Sequence, residues 1–482
     1  MRGSRRLFRN SVALAISNGW TIVASVAFVP LMTRYLGPDG YGLYSEIYSF
    51  VMLFALLNVF GTNAILTREV ARTKENASLL FGHALALRLA MNGVFIVVLL
   101  AAAVLHSFPH GVFPLLLLCT LESVLRSFAN TFTAMFRAFE KMGYELLTTV
   151  VDRTLWVAGV IVVVVADLGL GAIFAVFVAS ALVQLVMSVV LCWRYLSRPR
   201  LSTQTAGWRF LLREGWPVGA AQWLRQASER VGVVQLAAHA DSATVGFFSG
   251  ANRVFQLTYT LVASISTALY PAMSAAEERT RLQRLVAIGL RALLMMTLPA
   301  AAFYMVYAPW FVPWLLGEEF HLAARALQIL APAVVLAAVN SLLSDLLRAS
   351  ERQRYDLLCV GCALMVNFGL NALFIPRLGY LGPALATLIA QLFQSGLAWI
   401  GARRLVGRLP WRTLGASLLA TAAMVGVWRL ADSLPLLLRL PMGLVVYGTA
   451  LLVSGEVDRR TLRLVVGMLG WRATPVDEGG KA

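Results

Sequence analysis

Ten side chains decide how this sequence is read. Arg225, Glu229 and Arg230 sit with Gln222, Gln226 and Gln235 inside WPVGAAQWLRQASERVGVVQLAAHA, residues 216–240, a stretch long and apolar enough to cross a bilayer. Arg126, Arg153 and Arg253 fall at comparable depth in other apolar runs, with Glu122 and Asp152 as further acids, and Arg88 and Arg291 lie nearer the ends of theirs. A charge at the bilayer centre costs roughly 2.5–3.5 kcal/mol on insertion scales, so such residues face other helices or water. Counting 1.5 Å per residue puts Arg225 about 18 Å from Arg213, close to mid-bilayer. Arg88 and Arg291 are only about 10 Å in, so their guanidinium groups are expected to snorkel to the interface, with a secondary place at a cytoplasmic entrance.

Paired acids and bases suggest two kinds of chemistry. Glu122 and Arg126 stand at i and i+4 with the acid first, the favourable order on one helix face, and Arg225 and Glu229 repeat the spacing reversed. These pairs could glue helices together, or Glu122, Asp152 and Glu229 could couple transport to a proton, since burial raises a carboxyl pKa and a neighbouring arginine lowers it. The deep arginines outnumber the deep acids, which favours an anionic substrate. A guanidinium is always charged and holds phosphate oxygens in bidentate fashion. Neutral groups such as Asn18, Thr21, Asn58, Asn130, Asn252, Gln256, Tyr259, Asn340 and Asn367 could add hydrogen bonds to hydroxylated ligands.

The elements that must position these residues are membrane helices. The 482-residue chain is 59% hydrophobic and 13% charged with mean hydropathy +0.74, a composition that excludes a soluble domain. Its net charge of +17 is no sign of nucleic acid, because the basic residues gather in short connections between apolar runs. Fourteen runs of spanning length are expected near 10–34, 42–66, 81–105, 112–136, 144–166, 170–195, 211–240, 243–272, 285–316, 323–347, 356–375, 380–402, 411–430 and 435–455. Basic residues alternate between their connections, and only Arg34, Arg325, Arg377, Arg429 and Arg439 fall on the poorer side. The positive-inside rule then places both termini in the cytoplasm. The apolar stretch after MRGSRRLFRN is too long for a cleaved signal and reads as a retained first span.

Cys119, Cys192, Cys359 and Cys362 lie in apolar runs and read as packing residues, C-x-x-C spacing included. His83, His106, His110, His239 and His321 stand at span ends. No nucleophile–base pair, metal set or large external loop suggests an enzyme, and no cofactor is expected. The sequon at Asn76 falls in a connection assigned to the cytoplasm.

The chain also repeats itself. Arg9 matches Arg213, and Tyr41-Gly42-Leu43-Tyr44-Ser45 matches Val245-Gly246-Phe247-Phe248-Ser249, both at an offset of 204. Arg88 matches Arg291 at 203, Tyr144-Glu145-Leu146-Leu147 matches Tyr355-Asp356-Leu357-Leu358 at 211, and Leu168-Gly169 matches Leu378-Gly379 at 210. Two six-helix lobes follow, residues 1–207 and 208–409, with extra helices in 410–456 and a tail in 457–482. An even helix number per repeat keeps both copies in one orientation, so their pseudo-two-fold axis runs along the membrane normal and a substrate is expected in the central cleft near the midplane. Span seven is then the counterpart of span one, where Thr21 and Val26 stand for Arg225 and Arg230. The two arginines are thus no demand of the fold, and they are the leading substrate contacts.

The opening RNSVALAISNGWTIVASVAFVPLMTRYLGPDGYGLYSEIYSFVMLFALLNVFGTNAILTREVAR resembles that of Wzx-type polysaccharide and lipid-linked oligosaccharide flippases. Its most recognisable parts are Arg34-Tyr35-Leu36-Gly37-Pro38, Tyr41-Gly42-Leu43-Tyr44 and Thr67-Arg68-Glu69, with TVGFFSGANRVFQL and IPRLGYLGPALATLIAQ further on. The resemblance covers spans one to twelve and implies the all-α multidrug/oligosaccharidyl-lipid/polysaccharide (MOP) exporter fold, V-shaped and two-lobed, in a multi-pass protein of the bacterial inner membrane. It implies a carrier that moves an undecaprenyl-pyrophosphate-linked glycan, an O-antigen or exopolysaccharide repeat unit, by alternating access. The lipid tail would stay among membrane lipids, and the carrier would act as a monomer beside the polymerase and glycosyltransferases of its pathway. A multidrug or cation antiporter and a lipid II flippase are alternatives on the same fold. The first needs an acidic cavity, and against the second span one has no arginine between Asn10 and Pro30.

Overall fold

The computed structural model describes residues 2–106, 108, 110–200, 205–407 and 411–455. The tail at 457–482 and the basic residues Arg408, Arg459, Arg460, Arg463, Arg472 and Lys481 lie outside the described residues. Within them the chain is helix after helix, with three short 3-10 turns and no strand. α1 (Arg2–Phe54) is two helices run together across Gly37, whose φ of 63° between Pro30 and Pro38 turns the chain back and makes spans one and two of a single element. α2 (Leu56–Val59) and α3 (Thr62–Arg72) continue span two beyond a break at Phe60 and Gly61, both left-handed with φ of 44° and 70°. Periodicity alone predicts one unbroken helix over 42–66, and the break is a difference from that expectation.

Spans three to six are α4 (Ala77–Leu105), α5 (Phe113–Ala138), α6 (Met142–Val165) and α7 (Gly169–Tyr195). Spans seven to twelve are α8 (Thr205–Ala237), α9 (Ser242–Ser274), α10 (Arg279–Leu316), α11 (Ala323–Ala349), α12 (Gln353–Leu378) and α13 (Leu381–Val406). α14 (Trp411–Leu430) and α15 (Leu436–Val453) complete fourteen. Eleven helices are long and apolar enough to cross a membrane, the two halves of α1 counting as one. α8 and α9 are not among them: Arg225, Glu229 and Arg230 interrupt α8, while Arg253 and a run of Asn, Gln, Thr and Ser dilute α9.

By its contacts the chain forms two compact units. The first is residues 1–250, 313–322 and 367–383, and the second is 251–312, 323–366 and 384–482. α8 belongs to the first. In that unit Leu66, Phe81, Met135, Phe136 and Leu211 of α3, α4, α5 and α8 pack together, while Phe28 of α1 stacks on Trp156 of α6 at 4.1 Å beside Phe177 of α7. Tyr35 explains part of the Arg34–Pro38 signature: its hydroxyl donates to Asp167 at 2.9 Å and accepts the Gly169 amide at 2.8 Å, tying the first turn to the α6–α7 turn. In the second unit Val286, Leu342, Leu346 and Ala402 form one core, and Tyr307, Trp428 and Tyr447 seat α14 and α15 on α10.

The repeat reappears as paired contacts. Arg137 binds both oxygens of Glu145 at 3.0 and 2.5 Å across the α5–α6 turn. At an offset of 211 Arg348 reaches Asp356 at 3.7 Å across the α11–α12 turn. Gly42 and Gly246, equivalents at 204, lie at one crossing inside the first unit. A Cβ on Gly42 would stand 1.8 Å from the Ser242 carbonyl oxygen, and one on Gly246 would stand 2.0 Å from that of Pro38. Overpacking costs about 1–3 kcal/mol, so Gly42→Ala should lower the thermal unfolding midpoint of the detergent-solubilised protein by several degrees. Gly143→Ala, whose Cβ meets open space, should leave it unchanged, and equal midpoints for the two variants would refute the crossing.

Candidate substrate cavity

α5 carries Ser123, Arg126, Ser127, Asn130, Thr133 and Arg137 at steps of three and four, which puts them on one helix face. That face lines a cavity of about 450 Å³ in the first unit, a volume within the range of small-ligand clefts. Asn58 and Asn63 come from the span-two break and Thr67 from α3, while Gly219, Gln222, Trp223 and Gln226 come from α8. The break at Phe60 and Gly61 shapes this wall. Gly61 fits against α8 so closely that a Cβ would lie 2.2 Å from the Gly215 carbonyl oxygen, and Trp223 donates to the Leu53 carbonyl at 2.7 Å. Arg68 of α3 binds Glu214 of α8 at 3.1 Å. Arg126 and Arg137 are three turns apart on α5, about 16 Å along its axis, and the cavity touches both. Among the described residues its lining contains two arginines, nine Asn, Gln, Ser and Thr side chains, and no carboxylate.

Behind the cavity wall stands an ion cluster. Arg126 Nε donates to Glu122 Oε1 at 2.6 Å, and its Nη1 to Asp152 Oδ2 at 3.1 Å and Gln184 Oε1 at 3.3 Å. Arg153 approaches Asp152 at 3.6 Å and lies over the Trp156 ring at 5.4 Å. Asp152 is 1% exposed, so its charge depends on these partners. Arg230 of α8 lies over the Tyr48 ring at 5.0 Å with its Nε buried and unpartnered among the described residues, and Tyr48 is within Coulombic reach of Arg126 and Arg153. One oxygen of Glu122 and one of Asp152 are likewise buried without a hydrogen bond. Arg126 and Arg153 thus share Asp152, and Arg230 stands over Tyr48 beside them; these three arginines outnumber Glu122 and Asp152, and such an excess of positive charge attracts an anion.

The structure brings Arg126, Arg153, Arg230, Glu122 and Asp152 together. Arg225 is half-buried and Glu229 exposed on α8, neither in the cavity lining. Arg253 on α9 and Arg291 on α10 are half-buried in the second unit, the Nε of Arg291 buried without a hydrogen bond. Arg88 corrects the expectation of snorkelling. It is 1% exposed and donates to Thr131 and Thr62 at 3.1 Å, to Asn63 at 2.5 Å and to the Asn58 carbonyl. The break in span two leaves carbonyls without helical partners, and Arg88 donates to that of Asn58 and to the Thr62 and Asn63 side chains beside it, which makes it a brace. Sequence reasoning missed Arg137, Asn63 and Thr67 as cavity residues. The polar stripe at helical spacing along α5 was the signal for the first.

The model of the polysaccharide biosynthesis protein family matches residues 7–277, more than half the chain. The chain belongs to that family. The MatE model also matches, over residues 224–373. The chain is similar to the probable low-salt glycan biosynthesis flippase Agl15 of Haloferax volcanii, at 19% identity over 96% of this chain and 99% of that one. Among solved structures it is similar to the lipid II flippase MurJ in an inward closed conformation, with a TM-score of 0.74 and 16% identity over 94% of this chain and 99% of that one. It is also similar to a multidrug resistance MATE transporter of the MOP superfamily in an inward-facing conformation, at TM-score 0.67 and 18% identity over 82% and 98%. The fold is that of these MOP-superfamily transporters, and this member of the polysaccharide biosynthesis family is a multi-pass membrane protein.

The cluster carries a measurable consequence. Removing one partner of a buried ion pair costs about 3–5 kcal/mol because the other charge is left uncompensated. Arg126→Ala should therefore strongly lower thermal stability in detergent, and adding Glu122→Gln and Asp152→Asn should recover most of the loss. An Arg126→Ala protein as stable as wild type would show that the pairs are not made.

Proposed function

We propose that this protein is a flippase that moves an undecaprenyl-pyrophosphate-linked oligosaccharide, an O-antigen or exopolysaccharide repeat unit, from the cytoplasmic to the periplasmic leaflet of a bacterial inner membrane by alternating access. The observation that supports this reading is the cavity lining: arginines at both ends of one α5 face, amides and hydroxyls between them, and no carboxylate. Pyrophosphate suits the guanidinium groups, and sugar hydroxyls suit Asn130, Gln222 and Gln226. Arg126, Arg153 and Arg230 are the charges proposed to draw the head in, with Arg225, Arg253 and Arg291 as further contacts at other stages of transit. Glu122 and Asp152 hold the arginines until an anion displaces them, and Glu229 is proposed to play the same part for α8. Both termini are proposed to be cytoplasmic, on the distribution of basic residues between the spans.

A cation antiporter on the same fold would need carboxylates facing the cavity, and Glu122 and Asp152 are instead turned to arginine behind its wall. The test is complementation of a strain lacking the gene. Wild type should restore surface glycan, whereas Arg230→Gln, Asn130→Ala and Gln226→Ala should each cut display severalfold to tenfold at equal membrane levels of protein. The lipid-linked glycan should accumulate on the cytoplasmic side, with the length of residual chains unchanged. Normal display by all three variants would overturn the assignment.

A further inference from the structure

The second unit holds a basic pocket that the transport cavity does not use. It measures about 400 Å³ and lies where α12 begins and α13 ends, lined by Arg352, Tyr355, Ile400, Gly401, Arg403 and Arg404. The pocket is built around one close approach. A Cβ on Gly401 would come within 2.1 Å of the Tyr355 ring, so only glycine lets that ring lie against α13, where its hydroxyl donates to the Leu397 carbonyl at 2.9 Å. Arg352 donates to the Gly401 carbonyl at 2.9 Å, and Arg279 of α10 donates to the Arg404 carbonyl. Three arginines therefore line the space, with Arg279 bound at the Arg404 carbonyl, and among the described residues no carboxylate lines it. The nearest buried acid along α12, Asp356, is engaged by Arg348.

Arg403 and Arg404 stand in the last turn of α13, and Arg352 and Arg279 donate to the Gly401 and Arg404 carbonyls there, so all four complement the negative end of that helix. The carbonyls leave other guanidinium donors exposed, and an anion entering the pocket would meet them with no lining carboxylate to repel it. The surroundings say which kind of anion fits. Ile400, 57% exposed, lines the pocket, and Leu358, one turn further along α12, is 54% exposed. A polyanion from water has no use for that apolar surface, whereas an acidic glycerophospholipid would place its phosphate among the guanidinium groups and its acyl chains along α12 and α13. Basic pockets between membrane helices at the arginine-rich face hold acidic headgroups by this combination.

We propose that this pocket is a binding site for an acidic phospholipid headgroup, separate from the transported substrate. The test uses the full-length protein purified in detergent, titrated with phosphatidylglycerol or phosphatidylcholine while bound lipid is counted by native mass spectrometry. Wild type should retain phosphatidylglycerol in preference to phosphatidylcholine. Each surface arginine contributes roughly fivefold to such binding, so Arg403→Gln with Arg404→Gln should weaken retention of phosphatidylglycerol by roughly thirtyfold. Arg403→Lys with Arg404→Lys, which keeps the charge, should retain most of it and guards against a variant that merely misfolds. Equal retention of the two lipids, undiminished binding by the glutamine pair, or loss with the lysine pair would overturn the proposal. So would displacement of the lipid by millimolar inorganic phosphate, which would mark a site for free anions.

Discussion

A guanidinium group cannot sit in a bilayer without partners, and the first unit is arranged around meeting that demand. Arg126 meets it with Glu122 and Asp152, Arg88 with neutral oxygens alone, and Arg230 with the face of an aromatic ring. These three solutions differ in what they leave available. Arg88 is enclosed by its acceptors and braces a helix break. Arg126 keeps a fifth of its side chain exposed toward the cavity, and Arg230 retains a buried donor without an acceptor. A buried ion pair gives little net stability when weighed against an apolar core. Under the proposed function its place on a cavity wall allows exchange: an incoming anion can take the place of Asp152 at Arg126 while Arg153, 3.6 Å from that carboxylate, keeps it compensated.

The repeat clarifies which features belong to the fold and which to transport. Arg137 with Glu145 and Arg348 with Asp356 are equivalent pairs at equivalent turns, and Gly42 with Gly246 are equivalent glycines at one crossing. They serve both halves and hold turns and crossings in place. The ion cluster has no counterpart, since the positions 211 residues after Glu122, Arg126 and Asp152 are Ala333, Ala337 and Ala363. At each of these positions one repeat carries the charge and the other does not, as at Arg225 and Arg230 relative to Thr21 and Val26. Under the proposed function a symmetric scaffold with an asymmetric charge pattern suits a carrier of one polar head, with the substituted positions proposed to supply recognition.

Much of this was legible in the sequence because the bilayer permits few backbone solutions. Span lengths followed from apolar runs, and the Glu122–Arg126 contact followed from helical spacing. What escaped was set by tertiary packing. Nothing local in LLNVFGTNA announces that Phe60 and Gly61 turn left-handed; that conformation is held by α8 seated on Gly61 and by Arg88 reaching the freed polar groups. Depth alone made Arg88 an interfacial residue, although it points inward to the break. Arg137 was read as one more cytoplasmic charge, yet it closes a polar stripe that begins at Ser123. Arg225 and Arg230 looked alike in sequence; neither lines the cavity, and tertiary packing sets Arg230 over the Tyr48 ring.

The central claim is that surplus positive charge around Arg126 recognises an anionic lipid head. Equilibrium binding of undecaprenyl pyrophosphate and of undecaprenol to the purified protein tests it most directly, since the two ligands share a tail and differ only in the head. The account expects the pyrophosphate to bind at least tenfold more tightly, and expects that preference to collapse when Arg153 and Arg230 are together replaced by Gln, which removes the surplus charge and leaves the Arg126 pairs in place. Equal affinity for the two ligands in the native protein would contradict it.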